Sequence, residues 1–189
     1  MKRIFFIVVY LLIFSLASEL GWGKSLESIE IFSGYLRADL NEQDDYRVVP
    51  LMMSFGFDLK PLLEKVGIRS AGLIEFQLEP FLNVVTSPND NIEAGLTLLF
   101  KYAFPLGERF KPYIKFGAGP LYISQHTREQ STQFNFVDTA GVGFSWFIKK
   151  DLALSFEYRY RHLSNASIKH PNKGIDATSF LVGVSFFFE

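Results

Sequence analysis

Three side chains near the carboxyl end of this 189-residue chain have complementary chemistry: His162, Ser164 and Asp176. A serine hydroxyl is a poor nucleophile until a base takes its proton, and neutral imidazole does so near neutral pH. A carboxylate on the other ring nitrogen orients the imidazole and stabilises the imidazolium that forms. Asn165, through its amide, and the backbone N–H groups of Ala166 and Ser167 are candidate donors to an oxyanion. Together these groups suit ester hydrolysis, provided that the fold brings them to one place.

The elements that must do so are two strands. Residues 152–164 alternate strictly, with Leu152, Leu154, Phe156, Tyr158 and Tyr160 on one face and Ser155, Glu157, Arg159 and Arg161 on the other. His162 and Ser164 continue the apolar face, because residues two apart on a strand point the same way. In residues 176–188 that face holds Thr178, Phe180, Val182, Val184, Phe186 and Phe188, and the same parity places Asp176 on it. All three groups therefore share one wall at one end of a hairpin. On parity alone the plainer reading carries more weight: polar residues at a strand end. Asn165-Ala166-Ser167 also matches a glycosylation pattern by chance. A metal site from His162, His170 and Asp176 lacks recognised ligand spacing, and His126 and His170 read as solvated loop residues.

The rest of the chain extends the strand pattern. Residues 47–59, 69–84, 92–104, 111–124 and 133–148 alternate apolar with polar, and residues 29–38 form a weaker first strand whose faces are ambiguous. The total is about eight, the smallest number in outer-membrane barrels. Each is long enough to cross a bilayer when tilted. Pro80 and Pro120 are expected to mark bulges or strand ends. Met1-Lys2-Arg3, an apolar run over 4–16 and the small residues Ala17, Gly21 and Gly23 have the layout of a secretory signal peptide, with cleavage after Ala17 or Gly23. Residues 24–189 are then one barrel domain.

Composition agrees: 48% hydrophobic residues and 21 Phe form a large apolar load, which alternating strands can carry through export. A soluble lipocalin-like barrel or sandwich is the rival. Against it, Glu75, Glu79, Lys101, Lys115, Glu157, Arg159 and Arg161 fall on the polar face, as in a packed barrel interior, while the apolar face is rich in aromatics. The absence of cysteine excludes thiolate chemistry, and a net charge of −1 without a basic stripe gives no nucleic-acid signature. With a periplasmic amino terminus, the loops near 41–46, 87–91, 125–132 and 164–175 face outward.

The run Arg161-His162-Leu163-Ser164-Asn165-Ala166-Ser167-Ile168-Lys169-His170-Pro171-Asn172-Lys173-Gly174 resembles the signature of the outer-membrane lipid A 3-O-deacylases, the PagL family, approximately H-[YF]-S-N-A-G-[IL]-x-x-P-N-x-G. The resemblance covers only the end of the chain. It implies an eight-stranded barrel with His162 as base, Ser164 as nucleophile, Asn165 and Ala166 at the oxyanion hole, and the third triad member at Asp176. Two positions depart from the family: Asp176 stands for the usual Glu, one methylene shorter, and Ser167 for the usual Gly.

The resulting expectation is an all-β, eight-stranded transmembrane barrel in the cell outer membrane that hydrolyses the 3-O-linked acyl chain of lipid A by a Ser-His-Asp mechanism. No cofactor or metal is expected. Lipid A or lipopolysaccharide is the expected substrate and the outer membrane the expected surroundings; a homodimer is compatible with the sequence. Lys169 and Lys173 suit lipid A phosphates or plain solvation equally. The rivals are a non-enzymatic barrel that binds through its loops and another acyl-modifying enzyme, such as an acyltransferase.

Overall fold

The computed structural model describes residues 26–40, 45–124 and 129–188. The expected signal peptide and its two cleavage positions lie outside them, as does His126. The elements are β1 (Leu26–Ala38), β2 (Tyr46–Val49), β3 (Leu51–Asp58), α1 (Lys60–Lys65), β4 (Leu73–Ser87), β5 (Asn91–Ala103), β6 (Phe110–Ile123), β7 (Phe134–Lys149), β8 (Leu152–Ser164) and β9 (Ile175–Phe187). β2 and β3 are one crossing divided at Pro50, which has no N–H to donate, so the described strands make eight crossings. All pairings are antiparallel. β1 pairs with β9 from Ser28↔Phe187 to Ala38↔Ala177, closing the ring. Closure leaves no unpaired sheet edge, which is what allows strands to stand in hydrocarbon.

The two prolines singled out in the sequence behave differently from expectation. Pro80 and Pro120 mark neither bulges nor strand ends. Each sits inside a strand whose register is unbroken on one side, Pro80 opposite Leu96 and Pro120 opposite Phe136. On the other side the ladder skips the proline: pairing jumps from Met52↔Phe81 to Phe55↔Leu78, and from Gly95↔Leu121 to Leu98↔Ala118, without a shift. A missing N–H costs ladder bonds locally but leaves the register alone when both flanks are held.

Alternation sorts the side chains as expected. Ile31, Leu51, Phe100, Phe116, Trp146, Phe156, Phe180 and Val182 are among the exposed large apolar residues of the wall, and Glu75, Glu79, Lys101, Lys115, Glu157, Arg159 and Arg161 are buried inside. The ambiguous first strand resolves with Ser28, Glu30, Phe32 and Leu36 inward and Ile31, Ser33 and Tyr35 outward.

The interior is not polar throughout, however. Toward the end of the barrel where β8 stops and β9 begins, it is largely apolar. Leu36, Tyr46, Val48, Val85, Ile123, Val137, Leu163, Ile175 and Ala177 belong to one buried cluster. The charged network begins below it. This apolar plug lies directly behind the strand ends of interest.

Candidate active site

Register decides what meets what on the wall. In the β8–β9 ladder His162 lies opposite Asp176 and Leu163 opposite Ile175. Ile175 and Ala177 are buried in the plug beside Leu163, so a one-residue slip of β9 would drive Asp176 into apolar packing and turn Ile175 and Ala177 out to lipid. Hydrophobic alternation thus fixes the polar pair. His162 Nδ1 stands 2.6 Å from Asp176 Oδ1. An ionised carboxylate can only accept, so the imidazole proton sits on Nδ1 and Nε2 is left as the basic nitrogen. Both groups look outward, with side-chain exposures of 37% and 62%.

Ser164 ends β8 on the same face, opposite Phe136 of β7. It is two residues beyond His162, a Cα step of about 6.6 Å along a strand. Among the described residues no hydrogen bond joins Ser164 Oγ to His162. The structure therefore brings His162 and Asp176 into contact and places Ser164 beside them. Catalytic serine–histidine bonds are often long until substrate is bound.

The chain then turns sharply. Ala166 and Ser167 both adopt left-handed backbone, with φ of 51° and 61°, and Ile168 N–H donates to Asn165 O at 3.0 Å. Among the described residues the N–H groups of Ala166 and Ser167 meet no acceptor. Asn165, expected to offer its amide to an oxyanion, has that amide engaged within the loop. It is fully buried; its Nδ2 donates to Lys169 O at 2.8 Å and Ser131 Oγ at 3.3 Å, and its backbone N–H to Asn172 Oδ1 at 2.9 Å. The side chain continues the inward parity of β8 and ties the loop together. Ser131 N–H to Pro171 O and Lys173 N–H to Glu129 O staple the same loop to its neighbour.

Three neighbours of the histidine–carboxylate pair do not follow from the sequence pattern. Tyr160, read only as wall, donates its hydroxyl to Asp176 Oδ1 at 2.6 Å. Asp138 of β7 lies opposite His162 on its other side and is exposed on the wall; a lone carboxylate on an apolar strand face was its available signal. Gly174, in the quoted run, has φ 77° and lies against the imidazole: a Cβ there would fall 2.6 Å from His162 Cε1. Lys169 and His170 are exposed in the loop. Among the described residues no group of three acidic, histidine or cysteine side chains is placed to hold a metal ion.

Fold and site together define a class: a small outer-membrane-type β-barrel with a histidine–carboxylate pair beside a serine on its outer wall. The family model described as lipid A 3-O-deacylase (PagL) matches residues 51–185, and the chain belongs to that family. Lipid A deacylase PagL of Bordetella bronchiseptica is 34% identical over 93 residues, a match spanning 48% of each chain; it thus covers about half the length of that relative. Among solved structures, the outer membrane enzyme PagL superposes with a TM-score of 0.64 at 21% identity, covering 82% of this chain and 97% of its own. Neisserial surface protein A gives 0.64 at 14% identity, covering 85% and 96%. The barrel fold is shared equally with both; the residues of the site must carry the functional argument.

Proposed function

We propose that this protein is an outer-membrane ester hydrolase that removes the 3-O-linked acyl chain of lipid A. The observation that carries this reading is the His162–Asp176 bond at 2.6 Å on the wall-facing side of the barrel, with Ser164 two residues along the same face. Acyl chains of an outer-leaflet lipid lie against such a wall, so the ester reaches these groups without entering the barrel.

In this mechanism Ser164 Oγ attacks the acyl carbonyl carbon and His162 Nε2 takes the hydroxyl proton. The oxyanion is received by the N–H groups of Ala166 and Ser167; what favours them over the Asn165 amide is that the amide already donates to the Lys169 carbonyl. His162 returns the proton to the sugar oxygen as the carbon–oxygen bond breaks. Water activated by His162 then releases the acyl chain from Ser164 as a free acid. Asp176 orients the imidazole throughout. Residues 1–23 are proposed as an export signal, which the mass of the mature chain would test by placing its start at Ser18 or Lys24.

The test is mass spectrometry of lipid A incubated with the purified protein in detergent micelles. Loss of one hydroxyacyl chain is expected with the parent and not with Ser164→Ala or His162→Asn, all three migrating as folded barrels. Unchanged lipid A with the parent protein would favour a non-enzymatic barrel, and transfer of the chain to another lipid an acyltransferase.

A further inference from the structure

We propose that Tyr160 is a positioning residue that holds Asp176 in place for His162; this rests on the hydrolase reading above. The two donors converge on one atom. Asp176 Oδ1 accepts from His162 Nδ1 at 2.6 Å and from the Tyr160 hydroxyl at 2.6 Å. The strand register explains the convergence. Asp176 is directly opposite His162, while Tyr160 is opposite Thr178, so Tyr160 reaches Asp176 along the diagonal, a separation that long side chains span.

A wall tyrosine ordinarily keeps its ring in the apolar layer and gives its hydroxyl to water or headgroups at the interface. Tyr160 keeps the ring outward, 45% exposed, but its hydroxyl is committed to a carboxylate. The commitment has a physical purpose. Asp176 is on an open wall, and a single bond from His162 would leave the carboxylate able to rotate toward water. A second, charge-assisted donor removes that freedom. An aspartate has one methylene less reach than a glutamate. Here it lies between two donors on the same strand, so its short side chain is clamped over the ring nitrogen that it must orient.

The experiment is a double-mutant cycle on purified protein in lipid A micelles: parent, Tyr160→Phe, Asp176→Ala and the double variant, with Ser164→Ala as reference. Tyr160→Phe keeps the ring and removes only the donor. It should lower kcat about tenfold, the order of one hydrogen bond to a charged group, with KM unchanged. In the Asp176→Ala background, which has no acceptor left, the same change should have no further effect, because Tyr160 acts only through the carboxylate. An unchanged kcat, a loss expressed in KM, an equal loss in both backgrounds or failure of the variant barrel to assemble would overturn the proposal. Residual deacylation in Ser164→Ala would overturn the reading of the site itself. An inactive Ser164→Ala beside a fully active Tyr160→Phe would sink only the role of Tyr160.

Discussion

Asp138 stands directly opposite His162 across the β7–β8 ladder, on the same outward face and in the same row as Asp176 on the other side. The histidine is thus flanked by two carboxylates, but the contacts are unequal. Asp176 holds the ring nitrogen at 2.6 Å, whereas Asp138 makes no hydrogen bond among the described residues. Loss of the acid in a serine protease triad costs about 10⁴ in rate; on an open wall, where water can substitute, Asp176→Asn should cost about 10- to 10³-fold. Asp138→Asn should change the rate by no more than about twofold, as for a surface substitution. Deacylation rates of the two purified variants decide the matter, and a reversed order would hand the third triad position to Asp138.

Gly174 sets the other boundary of the imidazole. With φ 77° and a would-be Cβ 2.6 Å from His162 Cε1, any side chain there is both strained and in the way. Left-handed backbone costs an ordinary residue about 1–2 kcal/mol, and the ring must also move. Misplacement of a catalytic group by about 1 Å costs on the order of 10²-fold in rate. Gly174→Ala is expected to assemble normally and to lose activity on that scale. A variant with parental kcat would show that the ring has room that the structure does not display.

At Ser167 the strain is already present. Its φ of 61° follows an Ala166 at 51°, and both place left-handed backbone on residues with a Cβ. Ser167→Gly removes that penalty and should stabilise the protein by up to about 1 kcal/mol. Deacylation should be equal to or faster than the parent's, because the N–H keeps its orientation. Urea midpoints and initial rates, compared side by side, test this. A slower Ser167→Gly enzyme would mean that the serine side chain itself contributes.

Much of this arrangement was legible in the sequence because a strand has a period of two. The span of β8, 152–164, and the shared face of His162, Ser164 and Asp176 follow from counting. The first strand was ambiguous for a physical reason: its inward face mixes Glu30 with Phe32 and Leu36, since it runs from the charged half of the interior into the apolar plug. The tyrosine clamp was hidden because a wall tyrosine and a tyrosine bonded to Asp176 share the same parity. Residue type alone suggests Asn165 as an oxyanion donor and does not convey its inward parity, which turns the amide toward the Lys169 carbonyl. Asp138 required the β7–β8 register, which single-strand patterns do not supply.

The charged half of the interior makes a prediction independent of the chemistry. Glu30 is fully buried and accepts from Lys101 Nζ and Lys115 Nζ, both at 2.7 Å, and from Gln77 Nε2 at 3.1 Å. Lys101 also meets Glu75 at 3.0 Å and Lys115 meets Glu157 at 3.3 Å, so Glu30 is the bridge between two ion pairs. Removing its charge leaves two buried ammonium groups converging on a neutral amide. Breaking a buried pair from one side typically costs about 3–5 kcal/mol. Glu30→Gln should therefore lower the urea unfolding midpoint markedly, followed through the fluorescence of Trp146, which is half-exposed on the wall. The apolar plug separates this network from His162, Ser164 and Asp176, and the variant that does assemble should deacylate at the parental rate. An unchanged midpoint would show that Lys101 and Lys115 are adequately paired by Glu75 and Glu157 alone.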